Sequence, residues 1–580
     1  MDVDPAMSQR RALLHRLRMN HPVAVRSSFG ILFAALAYLA LAQSGEGTLA
    51  VEIHDKASGQ IVPAMVCITS LADHKWRTPP DGRVVPGYTT TREFYTPGKW
   101  KPGEIGPVRL TNGDYGDNDV RSVVYDGESA YPFWREPAAY FVAQPFSITL
   151  PAGKWRLAVA RGIEFLPAFE DFEIAPGQSL KRTLALERWV DMPRQGWYSG
   201  DDHVHFPRQT RQHDEFLMTW AQAEDVHVAN ILRMGDIERT YFEPRGYGKD
   251  FRYQQGDYVL ATGQEDPRTG IDEQGHTIAL NITAPVRDTA RYHLYDFMFD
   301  GVHAQGGLAG YAHVAWAPKY YRRERPNLYP TWDSTIDVVR GKVDFFEILQ
   351  FRRLGLDDYY DFLNLGFKLT ALAGSDLPWG STMGEARVYA YTGTPFSADA
   401  WFRAVKQGRT FVTNGPMLTL TAGTAIPGDE SQVARNANIH IRARTWAPEL
   451  IGSPKSLEII SDGRVIRSAE SSDPRKTSLE VELDLRADAN QWVAARVRSH
   501  NGALAHTSPI YLRVNGQNSR SEAASQAAAA HLKVLDFIQG RLTDQHFTAE
   551  YSPGEVAALR QRIAEARSMY SGILAERPAR

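Results

Sequence analysis

The stretch Gly196–Phe206, GWYSGDDHVHF, decides how the chain is read. It sets two acids, Asp201 and Asp202, beside a His-Val-His, His203 and His205. Side chains alternate along an extended chain, so the two imidazoles share one side. The same stretch marks a change of pattern. Before it, from Thr48 to about Arg188, short alternating runs such as TLAVEIHD, FSITLPAGKWRLAVA and LKRTLALERW are broken by Gly and Pro. That period of two predicts an antiparallel sandwich over 47–190. After it, RQHDEFLMTWAQAE has helical periodicity, and short apolar runs follow at 226–232, 258–263, 276–282, 307–315, 344–349 and 368–376. Alternating β and α predicts an α/β domain over 191–416, with a largely parallel sheet that can close into a barrel.

Beyond Met417 the alternation returns in MLTLTAG, ANIHIRART, SLEVELDL and WVAARVRSH, which predicts a second sandwich over 417–516. The last segment, 517–580, is rich in Ala, Glu and Arg with a period near 3.6. Ser552-Pro553-Gly554-Glu555 reads as a helix start, so a helical hairpin is expected, packed on the body or on a partner. The Lys75–Pro137 region reads as loops.

A chain of 580 residues exceeds one core, in keeping with several domains. A net charge of -3 provides no basic field for nucleic acid. Cys67 is the one cysteine, so a metal has to be held by His and carboxylates. The N-terminal Arg-rich segment, the apolar run FGILFAALAYLALA and Ala40-Leu41-Ala42 read as a secretory signal over 1–42. Export to the periplasm or medium is the expectation, with no membrane span after cleavage; an uncleaved anchor is the other reading.

Six residues sit where α/β folds build their sites, at strand ends: His203, His205, Glu265 in ATGQED, His276 in EQGHTIAL, His313 in GYAHVAW and Asp376 in AGSDLPWG. Singly each has a plain alternative as a polar strand residue or a turn. Together they suit zinc, manganese or iron.

This ordered set, with GWYSGD before it, GGL before His313 and GRTFVTNGP (Gly408–Pro416) after it, resembles the PHP metallohydrolases. It is most similar to their exported carbaryl-hydrolase-like branch (CehA/McbA). The resemblance implies a distorted (β/α)7 barrel flanked by two β-sandwiches. It implies one metal on His203, His205, Glu265 and Asp376, and a second on Glu265, His276 and His313, with Glu265 bridging. A metal-bound hydroxide would then cleave a carboxylic, carbamate or phosphate ester of a small molecule. Asp201 matches a family Asp expected to orient a ligand histidine, and Asp202 is not expected to ligate.

The chain departs from the family where Asn230-Ile231-Leu232 replaces Thr-Asp-His and where Pro378 replaces the last His of Gly-Ser-Asp-x-His. Both changes fall on a third metal, so one or two ions are expected, with His213 left to a surface or helix-face role. Arg233, directly after the lost motif, is a candidate to bind a substrate oxygen. Tyr311, Trp316, Lys319, Arg352, Arg353 and Trp379 are further candidates near the ligands. The absence of a Gly-rich phosphate cradle favours a neutral ester over a phosphoester. A catalytically reduced metal protein that binds a surface or glycan stays open as the alternative.

Overall fold

The computed structural model describes residues 45–77, 82–84, 133, 140–269, 274–314, 331–350, 352–377, 382–515 and 521–575. The expected signal segment, most of the loop region, and Trp316, Lys319, Pro378 and Trp379 lie outside the described residues. The described chain is mostly strand, in large sheets with few helices. No helix among the described residues is long and apolar enough to cross a membrane.

At the N-terminus two sheets face each other. One holds Phe146–Pro151, Glu46–Asp55 and Ser179–Leu186; the other holds Tyr140–Val142, Ala64–Ser70, Gly153–Ala160 and Ala168–Ile174. Leu49, Val51 and Ile53 alternate with more exposed neighbours and turn inward onto Val66, Ile68, Leu157 and Val159. That alternation buries one face of each sheet, which is why the segment forms a sandwich. Each fully buried side chain of this size contributes about 1.5–3 kcal/mol.

The central segment runs strand to strand around a ring. Trp197–Val204 pairs in parallel with Val228–Gly235, and that strand with Tyr258–Thr269. Gly275–Leu280 is antiparallel to Tyr258–Thr269 on one side and to Leu308–Tyr311 on the other. Parallel pairing resumes through Phe345–Gln350 to Thr370–Ala373. A parallel bridge from Val204 to Leu377, with His205 N donating to Leu377 O at 2.9 Å, brings the order back to its first strand. The expected largely parallel sheet is thus interrupted at Gly275–Leu280. The link after Thr269 is too short for a crossover helix, so the chain turns back as a hairpin.

Helices Arg211–Ala223, Asp296–Ala304 and Asp357–Asn364 connect parts of the ring. The first is capped by Thr210, whose side chain accepts from His213 N, and buries Phe216, Leu217 and Trp220.

Strands from either side of the expected boundary at 416 pair in one continuous sheet. Arg387–Tyr391 pairs with Trp197–Val204 and with Thr410–Thr413, which pairs in turn with Leu504–Thr507 of the C-terminal strands. Met417–Ala422, Ala437–Trp446 and Ser478–Ala487 form the sheet facing them, and Leu418, Ile441 and Val481 share a core with Leu457, Val493 and Leu512.

The hairpin Glu522–Arg541 and Pro553–Ala575 packs on this same chain. Its second helix starts with a reciprocal cap: Ser552 Oγ accepts from Glu555 N at 3.2 Å and Glu555 Oε2 from Ser552 N at 2.8 Å.

Candidate metal centre

All six candidate ligands meet at one end of the ring. His203 and His205 close the strand Trp197–Val204, Glu265 lies within Tyr258–Thr269, and His276 opens Gly275–Leu280. His313 and Asp376 follow their strands in short loops. Both hold left-handed backbone, φ 36° and 50°. Non-glycine residues adopt that region at a cost, and the surrounding structure sustains it where a side chain must be aimed.

The distances divide the set into two halves that share one carboxylate. His203 Nε2 and His205 Nε2 lie 3.0 Å apart. Asp376 Oδ1 stands 3.4 Å from the first and 3.7 Å from the second, and Glu265 Oε2 is 3.2 Å from His205 Nε2. Glu265 Oε1 turns to the other half, 2.8 Å from His276 Nδ1 and 3.4 Å from His313 Nε2, and stands 3.8 Å from His203 Nε2 of the first. His276 Nδ1 and His313 Nε2 are 3.1 Å apart.

The outer atoms decide which ring nitrogen carries the proton. His205 Nδ1 meets Leu232 O at 3.1 Å. A carbonyl only accepts, so that nitrogen carries the proton and Nε2 presents its lone pair inward. His203 Nδ1 lies 3.3 Å from Glu347 Oε2, the carboxylate–histidine arrangement found behind metal ligands. Lone pairs converging beside two carboxylates fit a divalent cation by donor type and by spacing.

The electrostatics agree with that fit. Burial works against charge on Glu265, but the facing His276, His203 and His205 outweigh it and hold the carboxyl well below its usual range. Burial pushes His276 down to about 4, leaving a neutral donor. Burial also opposes charge on His203, yet Asp376 and Glu347 outweigh it and raise that imidazole well above its usual range. An acid-rich, enclosed cluster draws positive charge, whether a proton or a metal ion.

Other expected residues sit elsewhere in the site. Asp201 touches backbone amides rather than a ligand imidazole. It accepts from His203 N and Ser375 N at 3.0 Å each and from Gly384 N at 2.8 Å, clasping the two segments that carry His203 and Asp376. Arg233 is buried and ion-paired to Asp266, which Arg287 and Tyr292 also engage. What the structure shows for this guanidinium is its ion pair with a buried carboxylate that Arg287 shares. Tyr311 is also turned away, its hydroxyl donating to Asp337 Oδ2 at 2.8 Å. His213 is buried at a helix start, its Nδ1 accepting from Gln209 N, and is not a surface group. Arg352 is half-buried and Arg353 exposed on a short hairpin.

No family model matches the chain. No curated protein matches it. Among solved structures, fibronectin(III)-like modules of Clostridium thermocellum CbhA align with 17% of this chain and 98% of theirs, at 20% identity and a TM-score of 0.13. An engineered protein aligns over 58% of this chain and 55% of its own, at 9% identity and the same TM-score of 0.13. Likenesses this slight leave the site to be judged on its geometry.

Two features escaped the sequence reading. Glu347 is fully buried. Its Oε2 meets His203 Nδ1 and also accepts from His313 N at 2.5 Å, so one oxygen touches both halves. An acid in the otherwise apolar FFEIL, 345–349, was the available signal. Phe242 stacks on His205, ring centroids 5.6 Å apart, and packs with Met234 and Tyr241 on that flank. An apolar wall stands there.

Proposed function

We propose that the chain is a metal-dependent hydrolase of ester bonds, with its central ring a distorted PHP-type (β/α)7 barrel and its centre built for two divalent ions. The observation that carries this reading is Glu265. Its Oε2 faces His205 and its Oε1 faces His276 and His313 while also lying 3.8 Å from His203 Nε2, so one carboxylate touches both histidine pairs, as a bridging carboxylate requires. His203, His205 and Asp376 would hold one ion with Glu265; His276 and His313 would hold the other. A metal pair so held supplies an activated water and polarises the ester oxygen under attack.

The protein's own groups account for orientation and access. Leu232 O and Glu347 lock the imidazoles with their lone pairs inward. His203 and His205 are sealed from solvent, whereas His276 and His313 keep 27% and 13% of their side chains exposed. Substrate therefore approaches from the His276–His313 side. Phe242 keeps water from the far flank of His205. The apolar flank favours a neutral carboxylic or carbamate ester over a charged phosphoester.

The test is turnover of aryl carboxylic, carbamate and phosphate esters by wild type and by Glu265→Ala. Wild type is expected to turn over at least one class. The variant should lose about a thousandfold, since several kcal/mol of metal assistance vanish at 1.36 kcal/mol per tenfold. A metal-loaded wild type without turnover on any class would instead favour a binding module.

A further inference from the structure

The C-terminal hairpin is tied toward the candidate metal centre by a buried guanidinium, and Tyr551, between its helices, also donates to Gln274 Oε1 at 3.5 Å. Arg562, in the helix Pro553–Ala575, is 4% exposed. Its Nη2 donates to Asp333 Oδ1 at 3.1 Å and to Asp337 Oδ1 at 2.6 Å, and its Nε stands 3.1 Å from Asp296 Oδ1.

The far oxygens of two of these acids lead to the metal ligands. Asp333 Oδ2 accepts from Gln274 Nε2 at 2.8 Å, and Asp333 N donates to Gln274 O at 3.3 Å. Gln274 is two residues before His276. Asp337 Oδ2 accepts from Tyr311, which is two residues before His313.

The two branches also touch. Gly275 holds φ 114°, and a Cβ there would stand 3.0 Å from the Tyr311 ring, so glycine is what lets the ring close over this turn. Tyr295 donates to Gly275 O at 2.6 Å. A second tie runs from the cap of the same helix, where Glu555 Oε1 accepts from His293 N and Gln274 Nε2 donates to His293 O.

From this geometry we infer that Arg562 is a positioning residue for the half-site of Glu265, His276 and His313, so that the C-terminal hairpin sets the occupancy of the second ion. The inference rests on the two-metal reading above. Removing Arg562 would leave Asp333 and Asp337 enclosed, with Arg340 3.8 Å from Asp337 as the remaining cation described near that acid. Those carboxylates would then repel or protonate, releasing Gln274 and Tyr311 together. The other half-site is clasped by Asp201, Glu347 and Leu232 O, all within the ring, and would keep its ion.

The experiment is zinc titration of the full chain, wild type against Arg562→Met, Arg562→Lys and Tyr311→Phe, with bound zinc and melting temperature read in parallel. Wild type should bind two ions. Arg562→Met should keep the first and bind the second about 10–100-fold more weakly. Arg562→Lys, which retains the charge, should recover part of that affinity. Tyr311→Phe deletes one hydroxyl, so the fold survives, and should weaken the second ion to a lesser degree; it decides the matter if Arg562→Met does not fold. Melting temperatures that fall while second-ion affinity stays at the wild-type value in Tyr311→Phe and Arg562→Lys would overturn the inference. A wild type that never binds a second ion defeats the two-metal reading, and the inference with it.

Discussion

The two halves of the candidate metal centre each set two histidines against Glu265, the first with Asp376 as well, but they are held in different ways. His203 and His205 are enclosed, with Asp201 clasping the backbone and Glu347 and Leu232 O gripping the rings. His276 and His313 stand at the mouth, on segments braced from outside the ring by Asp333, Asp337 and Arg562. One half is set by strand packing and the other by a later part of the chain. The lesson is that two similar ligand sets need not share a stability.

Gly374 offers the largest way to break this contrast. A Cβ there would stand 2.3 Å from Asp202 Oδ1, 2.4 Å from His203 Cβ and 2.6 Å from Glu347 Oε1. All three are buried around His203 and have little room to give. Gly374→Ala should cost about 1–3 kcal/mol of stability through overpacking and displace His203. Metal binding should be lost first at the enclosed half, with His276 and His313 still able to take an ion. Crystallography of the zinc-soaked variant checks which half is filled.

Glu347→Gln is a smaller change that keeps shape and removes charge. Because Glu347 touches His203 Nδ1 and His313 N, it spans both halves from behind the ligands, as Glu265 does between them. Metal affinity should drop about 10–100-fold at the enclosed half and less at the mouth. Competition with a zinc chelator measures both. An equal loss at the two halves would show that Glu347 couples them more tightly than the contacts suggest.

The smallest expected effect concerns the brace itself. His531 lies buried in the hairpin, stacked between Phe362 and Tyr570 with centroids at 4.4 Å and 5.3 Å. Burial pushes it down to about 3, below its ordinary value. The unfolded chain then binds the extra proton first, so stability falls as pH drops from about 6.5 toward 3. His531→Phe should make that fall shallower, read as melting temperature between pH 6.5 and 4. His227 and His506, held at about 4 and about 3 by burial, keep part of the slope.

Much of this was legible in the residues. The runs at 258–263, 276–282 and 344–349 coincide with strands because period and apolar length are local properties. Ser552 and Glu555 form the cap their spacing suggests. The six candidate ligands come together, since His and acids at successive strand ends have one place to converge.

What was not legible depends on direction and distance in space. Arg233 follows Asn230-Ile231-Leu232 in sequence, but its side chain goes to Asp266. Glu347 hides in an apolar run because a single buried acid leaves the period unchanged. The antiparallel turn at Gly275 depends on loop length and closure. Arg562 is one basic residue among many on a helix rich in Ala, Glu and Arg, and its meaning comes from Asp333 and Asp337, over two hundred residues away.

The most direct test is the ion count of purified, zinc-saturated protein after dialysis, for wild type, His276→Ala, His203→Ala and Glu265→Ala. Two half-sites sharing Glu265 predict about two ions in wild type, about one in each histidine variant and near none in Glu265→Ala. A wild type holding about three ions, or a Glu265→Ala protein retaining as much zinc as His276→Ala, would contradict a shared carboxylate between two sites.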